Sequence, residues 1–174
     1  MKIRRKLREA VLKSLYATEV SGDKLESIIT YTLKPLVNGI VKSIDKKDSQ
    51  EGYKESDAIN FAEKLYLKTI NQEELLDAEI NKHVENWDIN RLAVLDKLIL
   101  RMAICEMIDF EEVPAKVTIN EAIEIAKKYS TEKSGRFVNG ILDSAYQSMK
   151  KEGKIKKTGR GLIDETLNNT QEDQ

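Results

Sequence analysis

A single cysteine, Cys105, a single histidine, His83, and only two prolines, Pro35 and Pro114, stand in a chain of 174 residues. One cysteine excludes an intramolecular disulfide framework and any multi-cysteine zinc site. No apolar run approaches the roughly 18 residues that a membrane span needs. Residues 1–9 are too charged for the apolar core of a secretory signal, so the expected compartment is cytoplasmic and no membrane partner is expected. The eight glycines are scattered, with no GxxxxGK or GxGxxG among them, and nucleotide hydrolysis and dinucleotide binding therefore lack their phosphate-cradling loop.

What the chain has is charge and enough apolar residues for a core. Hydrophobic residues make up 40% and charged residues 34%, which suits one ordinary folded domain rather than a disordered chain. The net charge of -1 conceals an uneven distribution. Residues 1–13 hold six basic residues against one acidic, and residues 150–160 again six against one, leaving the remainder strongly acidic. Such polarity suits a polyanion at one surface and a basic partner at another, although a solvated charged face would look the same.

Helical spacing runs through the whole chain. Leu7, Val11 and Leu15 fall at i, i+4 and i+8, and Ser21-Gly22 supplies a stop. Leu25, Ile28, Ile29, Leu33, Leu36, Val37, Ile40 and Ile44 continue the period, with Pro35 expected to bend or divide the segment. Residues 45–56 form a polar connector. Ser56 is placed to cap a helix carrying Ile59, Ala62, Leu65, Tyr66 and Ile70. Asn71-Gln72 punctuates it before Leu76, Ile80, Val84 and Trp87. Asn90 is placed to cap the most hydrophobic helix, Leu92 to Ile104, expected at the centre. After Pro114, Thr118-Ile119-Asn120-Glu121 has the form of a capping box. Residues 116–119 just before it are the one short strand candidate. A last helix holds Phe137, Val138, Ile141, Leu142, Ala145 and Met149, and Gly153 stops it. The expected class is all-α with about seven helices. Residues 1–152 form the folded domain and 153–174 a basic, then acidic, mobile tail. Gly140, inside a helix, points to close backbone packing.

No residue asks for a catalytic role. His83 lies beside Val84 on an apolar face and is expected to pack there. Cys105 sits within the most hydrophobic helix without a neighbouring base. Glu73-Glu74 and Glu111-Glu112 are ordinary adjacent surface acids. No metal site and no cofactor is assigned.

Two stretches are far more specific than composition. One is Arg4-Arg5-Lys6-Leu7-Arg8-Glu9-Ala10-Val11-Leu12-Lys13-Ser14-Leu15-Tyr16. The other runs from Asn86-Trp87 through Asp96-Lys97-Leu98-Ile99-Leu100-Arg101, Val113-Pro114 and Ile119-Asn120-Glu121-Ala122-Ile123-Glu124-Ile125-Ala126-Lys127 to Phe137-Val138-Asn139-Gly140-Ile141-Leu142-Asp143. In this order they resemble the NusB family of bacterial transcription antitermination factors. The resemblance covers the first helix and nearly everything from 86 to 143; residues 22–82 match in helical character alone, and the segment from Gly153 is an extension.

The resemblance implies a compact all-helical fold of two small bundles and a non-enzymatic role. It also implies binding of single-stranded boxA-type RNA together with NusE, a ribosomal protein, within the RNA polymerase antitermination complex acting on ribosomal RNA transcription. Arg4, Arg5, Lys6 and Arg8 match the family's arginine-rich RNA-binding segment, with Leu7 as the buried anchor among them. Arg136 and Phe137 match residues lining the RNA site, and Lys133 and Lys128 would add phosphate contacts. Phe137 also falls on the Ile141 and Leu142 core stripe. For NusE the matched positions are Tyr16 and Asp96, and Tyr16 fits the core equally well. Arg101 and Glu106 belong to the motif but suit internal pairing. Monomer and homodimer both fit this family. Two other readings share the fold: a ribosome-assembly or RNA-chaperone adaptor, and a NusB-like domain separated from a ribosomal RNA methyltransferase.

Overall fold

Each long apolar stripe becomes a helix in the computed structural model, which describes residues 2–43, 54–84 and 91–162. The order is α1 (Lys2–Ser21), α2 (Leu25–Ile28), a π-turn (Ile29–Leu33), α3 (Lys34–Lys42), α4 (Glu55–Asn71), α5 (Glu73–Asn81), α6 (Val94–Asp109), α7 (Ala115–Tyr129) and α8 (Glu132–Lys151), with a closing 3-10 turn (Gly159–Leu162). Because α2, the π-turn and α3 run on end to end, these make seven helical rods among the described residues, an all-α architecture. Trp87, Asn90, most of the 45–56 connector and residues 163–174 lie outside the described residues.

The chain divides into two units, residues 1–71 and 72–174. In the first, α1 packs against α3 and α4. Leu7, Val11, Leu12 and Leu15 of α1, Val37 of α3, and Ala62 and Leu65 of α4 are all buried. Each such leucine contributes about 1.5–3 kcal/mol relative to exposure. The Tyr66 hydroxyl meets the Thr18 hydroxyl at 2.6 Å, which satisfies a phenol buried among apolar side chains. Pro35 divides its segment through the turn that precedes it. Proline lacks an N–H and its ring crowds the carbonyl four residues back. The chain widens over Ile29–Leu33, where the Lys34 N–H bonds to the Ile29 carbonyl five residues earlier, before α3 begins.

In the second unit α6 packs against α5, α7 and α8. Every residue from Leu98 to Met107 is buried, so this helix has no solvated face over that stretch. Its one buried guanidinium, Arg101, is held by α5: Nη2 lies 2.8 Å from Glu73 Oε1 and donates to Asp77 Oδ2 at 2.6 Å. This forked pairing is internal.

The start of α7 differs from expectation. It opens at Ala115 with Pro114 as N-cap, three residues before Thr118, and the strand candidate 116–119 is its first turn. Proline suits that place because its missing N–H would have had no helical partner. Thr118 and Glu121 are both buried within the helix, so neither caps it. The cap with side-chain geometry belongs to α8, where Thr131 Oγ1 accepts from the Ser134 N–H at 3.0 Å. Likewise α4 begins one residue before Ser56, and the Lys54 carbonyl accepts from Asp57 and Ala58.

Helix α8 ends where expected. Gly153 takes φ +68, its N–H bonds to the Lys150 carbonyl at 3.1 Å, and the Lys154 N–H bonds to the Met149 carbonyl at 2.9 Å. That pair of bonds is a Schellman motif. The basic stretch after it, expected to be mobile, runs over 154–162 as a strap along its own unit. Lys154 Nζ donates to Glu79 at 3.1 Å, Lys157 Nζ to the Phe110 carbonyl at 3.0 Å, and the Thr158 N–H to the Glu111 carbonyl at 3.1 Å. Gly161 is buried so closely against the Glu111 carbonyl that a Cβ there would lie 2.0 Å from its oxygen.

The two glycines within α8 differ. A Cβ on Gly135 would come 2.8 Å from Lys127 Cγ, so this glycine admits the side chain of α7. A Cβ on Gly140 would meet nothing within 4 Å, contrary to the expectation of close packing there. An interior glycine costs a helix about 1 kcal/mol relative to alanine, and no neighbour in the fold requires it here.

Candidate nucleic-acid interface

The first turns of α1 carry four of the expected RNA-binding residues, and the structure treats them unequally. Lys6 is exposed, while Arg4 and Arg5 are half-buried. Arg8 is only 3% exposed. Phe61 of α4 supplies the reason: Arg4 Cζ stands 4.5 Å from its ring centroid and Arg8 Cζ 5.6 Å. Two guanidinium groups thus stack on one ring, which fixes their planes and retains their charge. Arg8 accordingly belongs to the packing of the first unit, and Arg5 and Lys6 are the more outward cations. Nothing local to α4 in the sequence shows that the Phe61 ring lies under α1.

In the second unit, Lys133 and Arg136 are exposed and Phe137 is half-buried on α8. Three- and four-residue spacing puts all three on one helix face, with Gly140 and Ser144 continuing it. Phe137 does not close into the core as Val138 and Leu142 do, each 0% exposed. Part of its ring is left open to stack on a flat partner. Lys128, exposed on α7, lies 5.1 Å from the Tyr129 ring centroid.

The two residues matched to a protein partner part ways. Tyr16 is 44% exposed, with Val20 at 62% one turn later, so α1 presents an uncovered aromatic and aliphatic pair. Asp96 is 8% exposed and accepts a hydrogen bond from Ser134 Oγ at 3.0 Å. Its Oδ1 is buried with no hydrogen-bond partner. Ser134 Oγ also meets Ser130 Oγ at 2.9 Å and Thr131 Oγ1 at 3.0 Å, and Asp96 therefore sits at a hydroxyl cluster at the start of α8.

His83 is tied at both nitrogens, with Nδ1 at 2.9 Å from Ser144 Oγ and Nε2 at 3.3 Å from Glu79 Oε1. The connectivity is that of an acyl-transfer triad, but Ser144 stands mid-helix, where neighbouring backbone N–H groups are used within α8 and offer no oxyanion hole. Burial alone would raise the Glu79 carboxyl, but hydrogen bonds from Lys82, His83 and Lys154 outweigh it and hold it below its usual range. Cys105 is buried. Among the described residues no group of three or more His, Cys, Asp or Glu is placed to hold a metal ion, and no helix is long and apolar enough to cross a membrane.

Helical units whose outward chemistry is cationic and aromatic rather than nucleophilic define a small all-α protein with surfaces for binding. Residues 5–147 match the NusB family, and the chain belongs to it. It is 43% identical over 164 residues to the transcription antitermination protein NusB of Salinibacter ruber, covering 94% of this chain and 92% of that protein. The structure of T. maritima NusB superposes with TM-score 0.63 at 36% identity, covering 83% of this chain and 90% of that one. A chain from the crystal structure of antitermination factors NusB and NusE in complex with double-stranded RNA superposes with TM-score 0.66 at 27% identity, covering 85% and 98%. This is a non-enzymatic family of transcription antitermination proteins.

Proposed function

We propose that this protein binds single-stranded boxA-type RNA together with NusE, and acts with the other Nus factors on ribosomal RNA transcription in the cytoplasm. The observation that carries the reading is the outward face of α8, where the part-exposed Phe137 ring stands beside the exposed cations Lys133 and Arg136. A splayed base stacks on such a ring while flanking cations neutralise phosphates, the usual chemistry of single-strand recognition. Arg5 and Lys6 of α1 add backbone contacts, and Arg4 and Arg8 hold that end of the helix in shape over Phe61. Tyr16 and Val20 supply an apolar surface for NusE. Asp96 acts on that partner through the hydroxyl cluster at the start of α8.

The test is fluorescence anisotropy of a labelled boxA-like RNA and a scrambled control, titrated with this protein alone and with NusE, at two salt concentrations. Preference for boxA that NusE tightens supports the reading. Equal binding of both RNAs, unaffected by NusE, would leave a purely electrostatic adaptor, because counterion release is blind to sequence.

A further inference from the structure

Gly140 is the feature of α8 that packing leaves unexplained. At 100° per residue it falls between Arg136 and Phe137 in angle and about 5 Å further along the axis, directly below the cation and ring that head this face. No side chain enters the space its missing Cβ leaves: beyond the local backbone of α8, nothing lies within 4 Å of that position. Gly135, on the opposite face, has its reason inside the fold, in the Lys127 side chain laid against it. The glycine on the outward face has no such reason inside the fold.

We infer that Gly140 is the point of closest approach between α8 and the ribose-phosphate backbone of a bound single-stranded RNA. With a base stacked on Phe137 and a phosphate at Arg136, the chain continues down the helix over the next turn. There a bare backbone lets the sugar lie against the helix surface, where any side chain would hold it off by the width of a methyl group or more. Ser144, one turn further, presents a hydroxyl already oriented by His83 at 2.9 Å. Asp143 stands two turns below Arg136 on the same edge of the face, so the phosphates beyond Gly140 run on the Ser144 side, away from that carboxylate. The inference rests on the RNA reading of this face and adds to it a steric determinant.

It carries a test with opposite signs. Gly140→Ala and Gly140→Gln in the full chain are compared with Gly39→Ala, a second exposed, mid-helix glycine with nothing within 4 Å, on α3. The readouts are thermal unfolding and anisotropy with a labelled boxA-like single-stranded RNA. Both alanine variants should raise Tm by about 2–4 °C, the shift that removal of one interior glycine produces at this size. Gly140→Ala should nevertheless weaken RNA binding at least threefold and Gly140→Gln tenfold or more, while Gly39→Ala stays within twofold. Unchanged RNA affinity in both Gly140 variants overturns the inference, as does equal weakening by Gly39→Ala, or a loss of affinity for a protein partner alone. Phe137→Ala in the same titration separates the two levels: if it weakens binding and the Gly140 variants do not, the surface stands and the close approach falls. If Phe137→Ala has no effect, the surface itself is misassigned.

Discussion

The Ser134 hydroxyl donates to the Asp96 carboxylate at 3.0 Å, both groups buried, and this bond ties the first turn of α6 to the first turn of α8. An acid in the opening turn of α6 is also well placed against the positive end of that helix. Asp96→Ala and Ser134→Ala should each cost about 1–3 kcal/mol, the range for losing a hydrogen bond to a buried charged group. Denaturant unfolding of the two single variants and the double variant closes a thermodynamic cycle. The double variant should be less destabilised than the sum by at least about 0.5 kcal/mol, and simple additivity would mean that the bond does not couple the helices.

Arg8 and its neighbours on α1 should separate into two behaviours. Arg8→Ala removes a buried guanidinium from Phe61 and should lower stability by about 1–2 kcal/mol. Arg5→Ala and Lys6→Ala should leave unfolding within about 0.5 kcal/mol of the parent. Each should instead flatten the slope of log affinity for single-stranded RNA against log salt by about 0.7, the value for one phosphate contact. Measured salt slopes that do not change would take the start of α1 out of the RNA surface.

Periodicity made the seven rods legible, because α1, α4, α6 and α8 each carry an unbroken apolar stripe. What failed to show was whatever depends on a distant residue. Thr118 and Glu121 have the spacing of a capping box, yet the chain had already entered α7 at Pro114 and buried both. Arg8 follows Leu7 in an arginine-rich run, and only the placement of α4 reveals the ring beneath it. Lys154, Lys157 and Gly161 have the composition of a solvated tail; their partners Glu79, Phe110 and Glu111 are brought alongside by the fold. The candidate surface was legible in part for the same reason. Arg136 is exposed and Phe137 half-buried, whereas Asp96 is buried and bonded to a serine 38 residues away.

Gly161 offers the cleanest way to lift the strap. A Cβ at this position would lie 2.0 Å from the Glu111 carbonyl oxygen, and that oxygen belongs to backbone that cannot swing aside as a side chain would. Gly161→Ala should therefore release the turn at Gly159–Leu162 and break the bond from Thr158 to Glu111. Hydrogen exchange of the amides over 158–162 should accelerate at least tenfold while α6 and α8 retain protection. Unchanged exchange would show that the strap tolerates the methyl group and is held elsewhere.

Glu79 should make the attachment of the strap sensitive to acid. It is buried, receives hydrogen bonds from Lys82, His83 and Lys154, and has its carboxyl held below the ordinary value of 4.5. Lys154 is correspondingly raised by its bonds to Glu152 and Glu79, so it stays protonated throughout the acid range. A carboxyl with a depressed native value binds its proton less readily folded than unfolded. Its contribution is therefore complete above 4.5 and is lost as pH falls through the lower native value. Unfolding of the parent and of Glu79→Gln, followed from neutral pH to about pH 3, should give curves that converge towards the acid end, because the variant lacks the group whose protonation costs stability. Parallel curves would place the acid sensitivity of the second unit in other carboxylates.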